Sequence, residues 1–195
     1  MADFNVNHIT GKQGQQGTVL AGVTTVSSTG AMRIPSGPTE QRGGRGRGVW
    51  GGGYNPTMNT MEYITIATTG NAIDFGDFVH AKFSASAVGS PTRGIFIGGD
   101  PNQSKMYYFT FSSSGGTNTF GDLSNNHYNA SALSNDTRGL SLGGNPVITS
   151  IEYITMATTG NASSFGDLFD GNRYAAGAAS PTRGIIGGGI DASTQ

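Results

Sequence analysis

SPTRGIFIGGD, residues 90–100, recurs as NDTRGLSLGGN at 135–145 and as SPTRGIIGGGI at 180–190, so Arg93, Arg138 and Arg183 stand 45 residues apart. An earlier copy, GRGVWGGGY, carries Arg47, and FGD returns in the same phase at Phe75, Phe120 and Phe165. MEYITIATTGN from Met61 matches IEYITMATTGN from Ile151, two periods on, while the middle copy, MYYFTFSSSGG from Met106, has diverged furthest. A fixed period of this length means one supersecondary unit repeated along the chain. The first interval, Arg47 to Arg93, is 46 residues, and its extra residue falls in the turn-rich YNPTMNTM between Gly53 and Glu62. Loops absorb such insertions.

Within each unit the apolar residues alternate, the period of a half-buried strand. Ile95 shares a face with Ile97, and Leu140 with Leu142. A second strand carries Ile64 and Ile66, Phe109 and Phe111, or Ile154 and Met156 on one face, with Tyr63, Tyr108 or Tyr153 on the other. A third follows Lys82-Phe83, His127-Tyr128 and Arg173-Tyr174 through small residues such as Ala85 and Ala87. The last of these pairs sits one residue late relative to FGD, which leaves the register there open.

Glycine supplies 33 of 195 residues, charged residues make up 12%, and the net charge is −1. Scarce large aliphatic residues imply a thin core, which suits layered sheets. The near-neutral charge gives no field to attract nucleic acid or an anionic membrane. No stretch approaches the ~20 apolar residues of a membrane span, and the opening MADFNVNHITGKQGQQG lacks a signal-peptide layout. The expectation is therefore a soluble, unexported chain with neither nucleic acid nor membrane insertion among its partners. The absence of cysteine excludes a disulfide framework and a thiol nucleophile.

The double glycines Gly52-Gly53, Gly98-Gly99 and Gly143-Gly144 follow a hydrophobic strand and precede an aromatic-bearing strand and a basic-aromatic pair. In this the chain resembles the kelch-like family of β-propellers, although Phe75, Phe120 and Phe165 stand where that family usually has tryptophan. The resemblance implies an all-β fold of kelch-like propeller-type repeats, about three 45-residue units (47–92, 93–137 and 138–182) and a partial fourth (183–195). Closed propellers take ~4–8 blades. Closure is then expected through oligomerisation, for example six blades from two copies, with a longer chain or a stacked solenoid as alternatives.

Residues 1–42 have no copy elsewhere, and QRGGRGRG at 41–48 reads as a glycine-rich hinge, placing a boundary before a repeat domain at 43–195. GTVLAGVTTVSSTG at 17–30 is rich enough in β-branched residues for a strand or hairpin. This segment, with GAMRIPSGPTEQR at 30–42, is similar to the lead-ins of virion and tail-fibre-like proteins of tailed bacteriophages. With the repeats behind it, the whole chain resembles kelch-like virion proteins of phages that infect marine cyanobacteria. That resemblance implies a virion component without enzymatic activity or cofactor: a tail fibre, a tail-associated appendage or a capsid decoration. It would dock on other virion proteins through residues 1–42 and associate with further copies of itself. The alternatives are a host-glycan-binding receptor module and a polysaccharide depolymerase.

Several residues invite a chemical reading. Gly139-Leu140-Ser141-Leu142-Gly143 fits a GxSxG nucleophile pattern, but Ser141 occupies the place of Trp50, Phe96 and Ile186, so an ordinary strand residue is expected. His8, His80 and His127 fall at different phases and lack metal-ligand spacing. Asp77, Asp122 and Asp167 follow glycine, as strand-ending turn residues do. Arg47, Arg93, Arg138 and Arg183 are expected to donate from unit to unit to backbone carbonyls, and Arg42 and Arg45 belong to a solvated hinge. Trp50 and Tyr54, beside a triple glycine, are candidate partner or glycan contacts, with core packing as the equal alternative for Trp50.

Overall fold

A computed structural model describes residues 25–26, 32–33, 46–101 and 104–191. The chain divides into two units, Met1–Gln41 and Arg42–Gln195. In the first, β1 (Thr25–Val26) pairs antiparallel with β2 (Met32–Arg33). The rest of the expected N-terminal segment, with His8, Arg42 and Arg45, lies outside the described residues.

The second unit is all-β. Its strands are β3 (Arg47–Gly51), β4 (Thr60–Thr65), β5 (Ile73–Asp77), β6 (Ser86–Gly89), β7 (Arg93–Ile97), β8 (Lys105–Thr110), β9 (Asn118–Asp122), β10 (Ser131–Ser134), β11 (Arg138–Leu142), β12 (Ser150–Thr155), β13 (Ser163–Asp167), β14 (Ala176–Ala179) and β15 (Gly184–Gly187). They form four antiparallel sheets in chain order: β3-β4-β5, β6-β7-β8-β9, β10-β11-β12-β13 and β14-β15. Among the described residues no helix is long and apolar enough to cross a membrane.

The register repeats with the sequence. Ile97 opposes Met106 as Leu142 opposes Ile151, and each sheet of three or more strands shifts register after the first apolar residue of its last strand but one, at Met61/Glu62, Met106/Tyr107 and Ile151/Glu152. Such a bulge adds local twist. Opposite it stands the glycine of FGD: Gly76, Gly121 and Gly166.

The sheets cut the period differently from the sequence units. FGD forms a strand of its own, the fourth, and each four-stranded sheet begins at Ser86 or Ser131 rather than at the arginine. The reason is the tight turn before that arginine. Ser90, Asn135 and Ser180 donate their backbone N–H to the carbonyls of Arg93, Arg138 and Arg183, while their side chains accept from the backbone two and three residues on. The small-residue strand is thereby the hairpin partner of the arginine strand. The structure also resolves the late pair at Arg173-Tyr174. Arg173 bridges Ile190 as Phe83 bridges Asp100 and Tyr128 bridges Asn145, so the backbone keeps its period and Asn172 takes the place of Lys82 and His127.

Consecutive sheets pack face to face over two clusters. Met61, Phe75, Phe78, Phe96 and Phe109 fill the first junction, between β3–β5 and β6–β9. Val88, Ile95, Ile97, Met106, Phe120, Leu123, Ile154 and Met156 fill the second, between β6–β9 and β10–β13.

Candidate functional site

The residues that the repeat singles out in the first two sheets lie at these junctions. Arg47 Nη1 donates to the carbonyl of Phe111 at 2.6 Å, and Arg93 Nη1 donates to the carbonyls of Met156 at 3.1 Å and Ala157 at 3.2 Å. Each crosses from one sheet to the end of the third strand of the next. Each guanidinium also lies over a tyrosine of its own sheet: Arg47 over Tyr63 at 4.8 Å, Arg93 over Tyr108 at 4.4 Å and Arg138 over Tyr153 at 4.6 Å. The ring holds the planar group in line with the carbonyl. Arg183, at the head of the two-stranded sheet, is exposed.

The FGD strand supplies the second seam. The carbonyls of Phe75 and Asp77 accept the N–H groups of Gly115 at 2.6 Å and Thr117 at 2.9 Å, and those of Phe120 and Asp122 accept Gly160 and Ala162 at 2.9 Å each. A methyl group on Gly76 would collide with the backbone of Gly115, and Gly76 has φ of 136°, so both space and conformation demand glycine here. The aspartates end their strands, but their carboxylates do not converge. Asp122 pairs with Lys105 at 2.8 Å, and Asp167 accepts the Thr149 hydroxyl at 3.3 Å. Among the described residues no three His, Asp or Glu side chains are grouped to hold a metal ion.

A third seam was not legible as such in the sequence. Lys82 is buried, donates from Nζ to the Gly98 carbonyl at 2.7 Å, and lies over the Tyr107 ring at 4.5 Å. Burial pushes its pKa down to about 8. Asn172 repeats the bond two periods later, Nδ2 donating to the Gly188 carbonyl at 2.9 Å. His127, midway, departs from the pattern: it is buried with Nε2 2.9 Å from the Ser141 hydroxyl, and Glu152 stands across the strand pair from Ser141. Glu152 Oε1 accepts from the backbone N–H and the hydroxyl of Ser124. Burial lowers the His127 pKa, and the charge of Glu152 and the Asn125 backbone as acceptor only partly oppose it. Ser141 therefore sits mid-strand in β11, sealed between sheets with histidine and glutamate nearby. The signal in the sequence was the polar residue at a fixed phase before the small-residue strand: Lys82, His127, Asn172.

The outer faces of the array differ from the inner ones. Phe75 and Phe120 are buried, Phe120 to 3% exposure, whereas Phe165 is 50% exposed. At the opposite end Trp50 is 43% exposed although Phe96 and Ser141 at the same phase are buried, and Ile66 is 65% exposed although Met156 is buried. Trp50 thus lies on an open sheet face with Ile64 and Ile66, outside either core cluster. Tyr54, the residue inserted after the glycines, is 76% exposed with its ring 4.8 Å from that of Phe83. His80 is exposed, with its ring 6.4 Å from that of Tyr107.

No family model matches the chain, and no curated protein sequence matches it. Solved structures do match its fold. One of them, "Structure of YjhT", superposes with a TM-score of 0.57 at 16% identity, over 69% of this chain and 46% of that one. The chain thus spans less than half the length of that structure, and it is similar to it in fold.

Proposed function

We propose that this chain is a kelch-like β-propeller component of a tailed-phage virion, acting by attachment and assembly rather than by catalysis. Its sheets act as blades, each covering the next, with residues 1–42 as the anchor on the particle and the loops turned outward. The observation that carries this reading is the pair of open apolar faces at the two ends of the sheet array, Trp50, Ile64 and Ile66 at one and Phe165 at the other. Apolar faces of this kind mark sites where another protein binds. Virion incorporation tests the reading. A chain lacking residues 1–42 should keep its β-sheet circular dichroism and be missing from purified particles. Normal incorporation of that chain would refute the anchor.

A second reading, a host-glycan-binding module, is favoured by the exposed aromatic rings of Trp50 and Tyr54. Saturable binding on a glycan array, lost in Trp50→Ala, would support it. An architectural subunit should bind no glycan saturably.

A further inference from the structure

The two open faces are halves of the junction that the molecule already builds twice inside itself. On β10–β13 the exposed Phe165 occupies the place of Phe75 and Phe120. Gly166, with φ of 151°, has nothing within 4 Å of where a Cβ would stand, whereas Gly76 lies against the backbone of Gly115. Beside them an open cavity of about 180 Å³ is lined by Leu133, Arg138, Leu140, Phe165, Arg183 and Gly184. It lies where the third strand of a following sheet would run, because the fourth sheet holds only β14 and β15 among the described residues. On β3–β5 the exposed Ile64 and Ile66 occupy the places of Phe109 and Phe111, or of Ile154 and Met156, which are the residues that fill this slot at the inner junctions. That sheet, in turn, holds among the described residues no counterpart of the first strand that β6 and β10 supply elsewhere.

We propose that a second copy of this chain docks head to tail, its β3–β5 sheet seated on the β10–β13 sheet. This rests on the repeat-assembly reading above and names the surface through which it acts. The inner junctions fix the contacts. The partner's Ile64 packs on Phe165 as Phe109 packs on Phe75, whose ring centroids are 5.1 Å apart. Arg138 donates to the carbonyl of the partner's Ile66 as Arg93 donates to that of Met156. The carbonyls of Phe165 and Asp167 accept the N–H groups of the partner's Gly70 and Ala72, as those of Phe120 and Asp122 accept Gly160 and Ala162.

Strand exchange completes the sheet. β15 and β3 carry the same motif, Arg183-Gly184-Ile185-Ile186-Gly187 against Arg47-Gly48-Val49-Trp50-Gly51. β14, which now pairs Ala179 with Gly184 and Ala176 with Gly187, holds the partner's β3 in the same register while β15 gives way. Each copy then contributes three four-stranded sheets. Closed rings of such sheets hold ~4–8, and six is the only multiple of three in that interval. The assembly is therefore two copies joined by two identical head-to-tail junctions, a contact that stops growing only because the rotation closes.

The test is the solution mass of the full chain by light scattering, together with cross-linking. The unaltered chain should show twice the single-chain mass. Ile64→Asp/Ile66→Asp, which alters residues exposed in the single chain, should return the single-chain mass with unchanged circular dichroism. Because the chain has no cysteine, a mixture of Phe165→Cys and Ile64→Cys chains should give a pair under a short bismaleimide, and Ile64→Cys alone should not. A single-chain mass for the unaltered protein, an open-ended series of masses, a two-copy mass indifferent to the Asp pair, or self-linking of Ile64→Cys would each overturn the proposal. Loss of particle incorporation tells on the virion reading instead, so the two can fail separately.

Discussion

The junction between the first and second sheets and the junction between the second and third share their backbone links and the side chains that the earlier sheet of each contributes, Met61, Tyr63 and Phe75 matching Met106, Tyr108 and Phe120, but differ in what the later sheet packs against them. The first is aromatic, with Phe78 against Phe96 at 4.6 Å and Phe75 against Phe109 at 5.1 Å, and its buried polar residues are Lys82 and Thr117. The second is aliphatic, with isoleucines and methionines around Phe120, and its buried polar residues are His127, Ser141 and Glu152. Yet the arginine bridge and the two FGD carbonyl links recur in both. Main-chain geometry sets the spacing of the sheets, and the side chains need only fill the resulting volume to native density.

The largest expected effect contrasts an inner with an outer copy of one residue. Phe120→Ala should cost about 3–5 kcal/mol in denaturant unfolding, as a large-to-small change in a core does. Phe165→Ala, half-exposed in the single chain, should cost under about 1 kcal/mol when measured on the single-copy Ile64→Asp/Ile66→Asp background. Equal costs would deny that the inner and outer positions differ.

Glycine gives the next contrast. Gly76→Ala adds a collision with the Gly115 backbone to the strain of positive φ and should cost about 3–4 kcal/mol. Gly166→Ala meets the strain alone, on the order of 1–2 kcal/mol on the same background. Thermal unfolding of the two variants side by side reads the difference directly.

The buried polar residues should separate the junctions by pH. Lys82 falls to about 8 in the folded chain from 10.5, so between those values the unfolded chain holds a proton that the folded one has shed. Stability should therefore rise as pH climbs from 8 to 10.5, by on the order of 3 kcal/mol, and Lys82→Met should abolish that rise. His127, lowered by burial, obeys the same sign in a different window. Its contribution is complete above about 6.5 and is lost as pH falls below that value towards its own lowered pKa, a loss that His127→Gln should remove. Melting temperatures across both windows for the two variants would show whether each junction titrates by itself.

The smallest effect belongs to the inserted residue. Tyr54→Ala removes one exposed ring from beside Phe83 and should cost about 0.5–1 kcal/mol. A larger loss would mean that Tyr54 helps to hold the first junction.

Much of the fold was legible because the sequence repeats it. The alternation in RGIFI and EYITI gave two strands, the small residues after the basic-aromatic pair gave a third, and the arginines were expected at the unit-to-unit hydrogen bonds where Arg47 and Arg93 are found. The fourth strand was harder to see because FGD offers one large side chain, and its pairing depends on a bulge that no alternation reveals. The burial of Lys82 was not legible because lysine is rarely buried without a partner, and a carbonyl and a tyrosine face serve here. For Trp50, the apolar residues at its phase left a core position open, but a residue's burial depends on having a neighbouring sheet, and the first sheet's outer face has none within the described chain. GLSLG matched a nucleophile pattern, and the repeat alone, by aligning Ser141 with Phe96 and Ile186, identified it as the middle of a strand.

The seam built on FGD joins peptide group to peptide group, Phe75 to Gly115 and Phe120 to Gly160, and asks of the side chains around it only the glycine of FGD, Gly76 or Gly121. Any whole block of 45 residues therefore arrives with its coupling ready on both edges. Unequal crossing-over that inserts or removes one such block preserves every remaining joint. The number of blocks can then drift between lineages while the gene keeps its frame and each block keeps its neighbours.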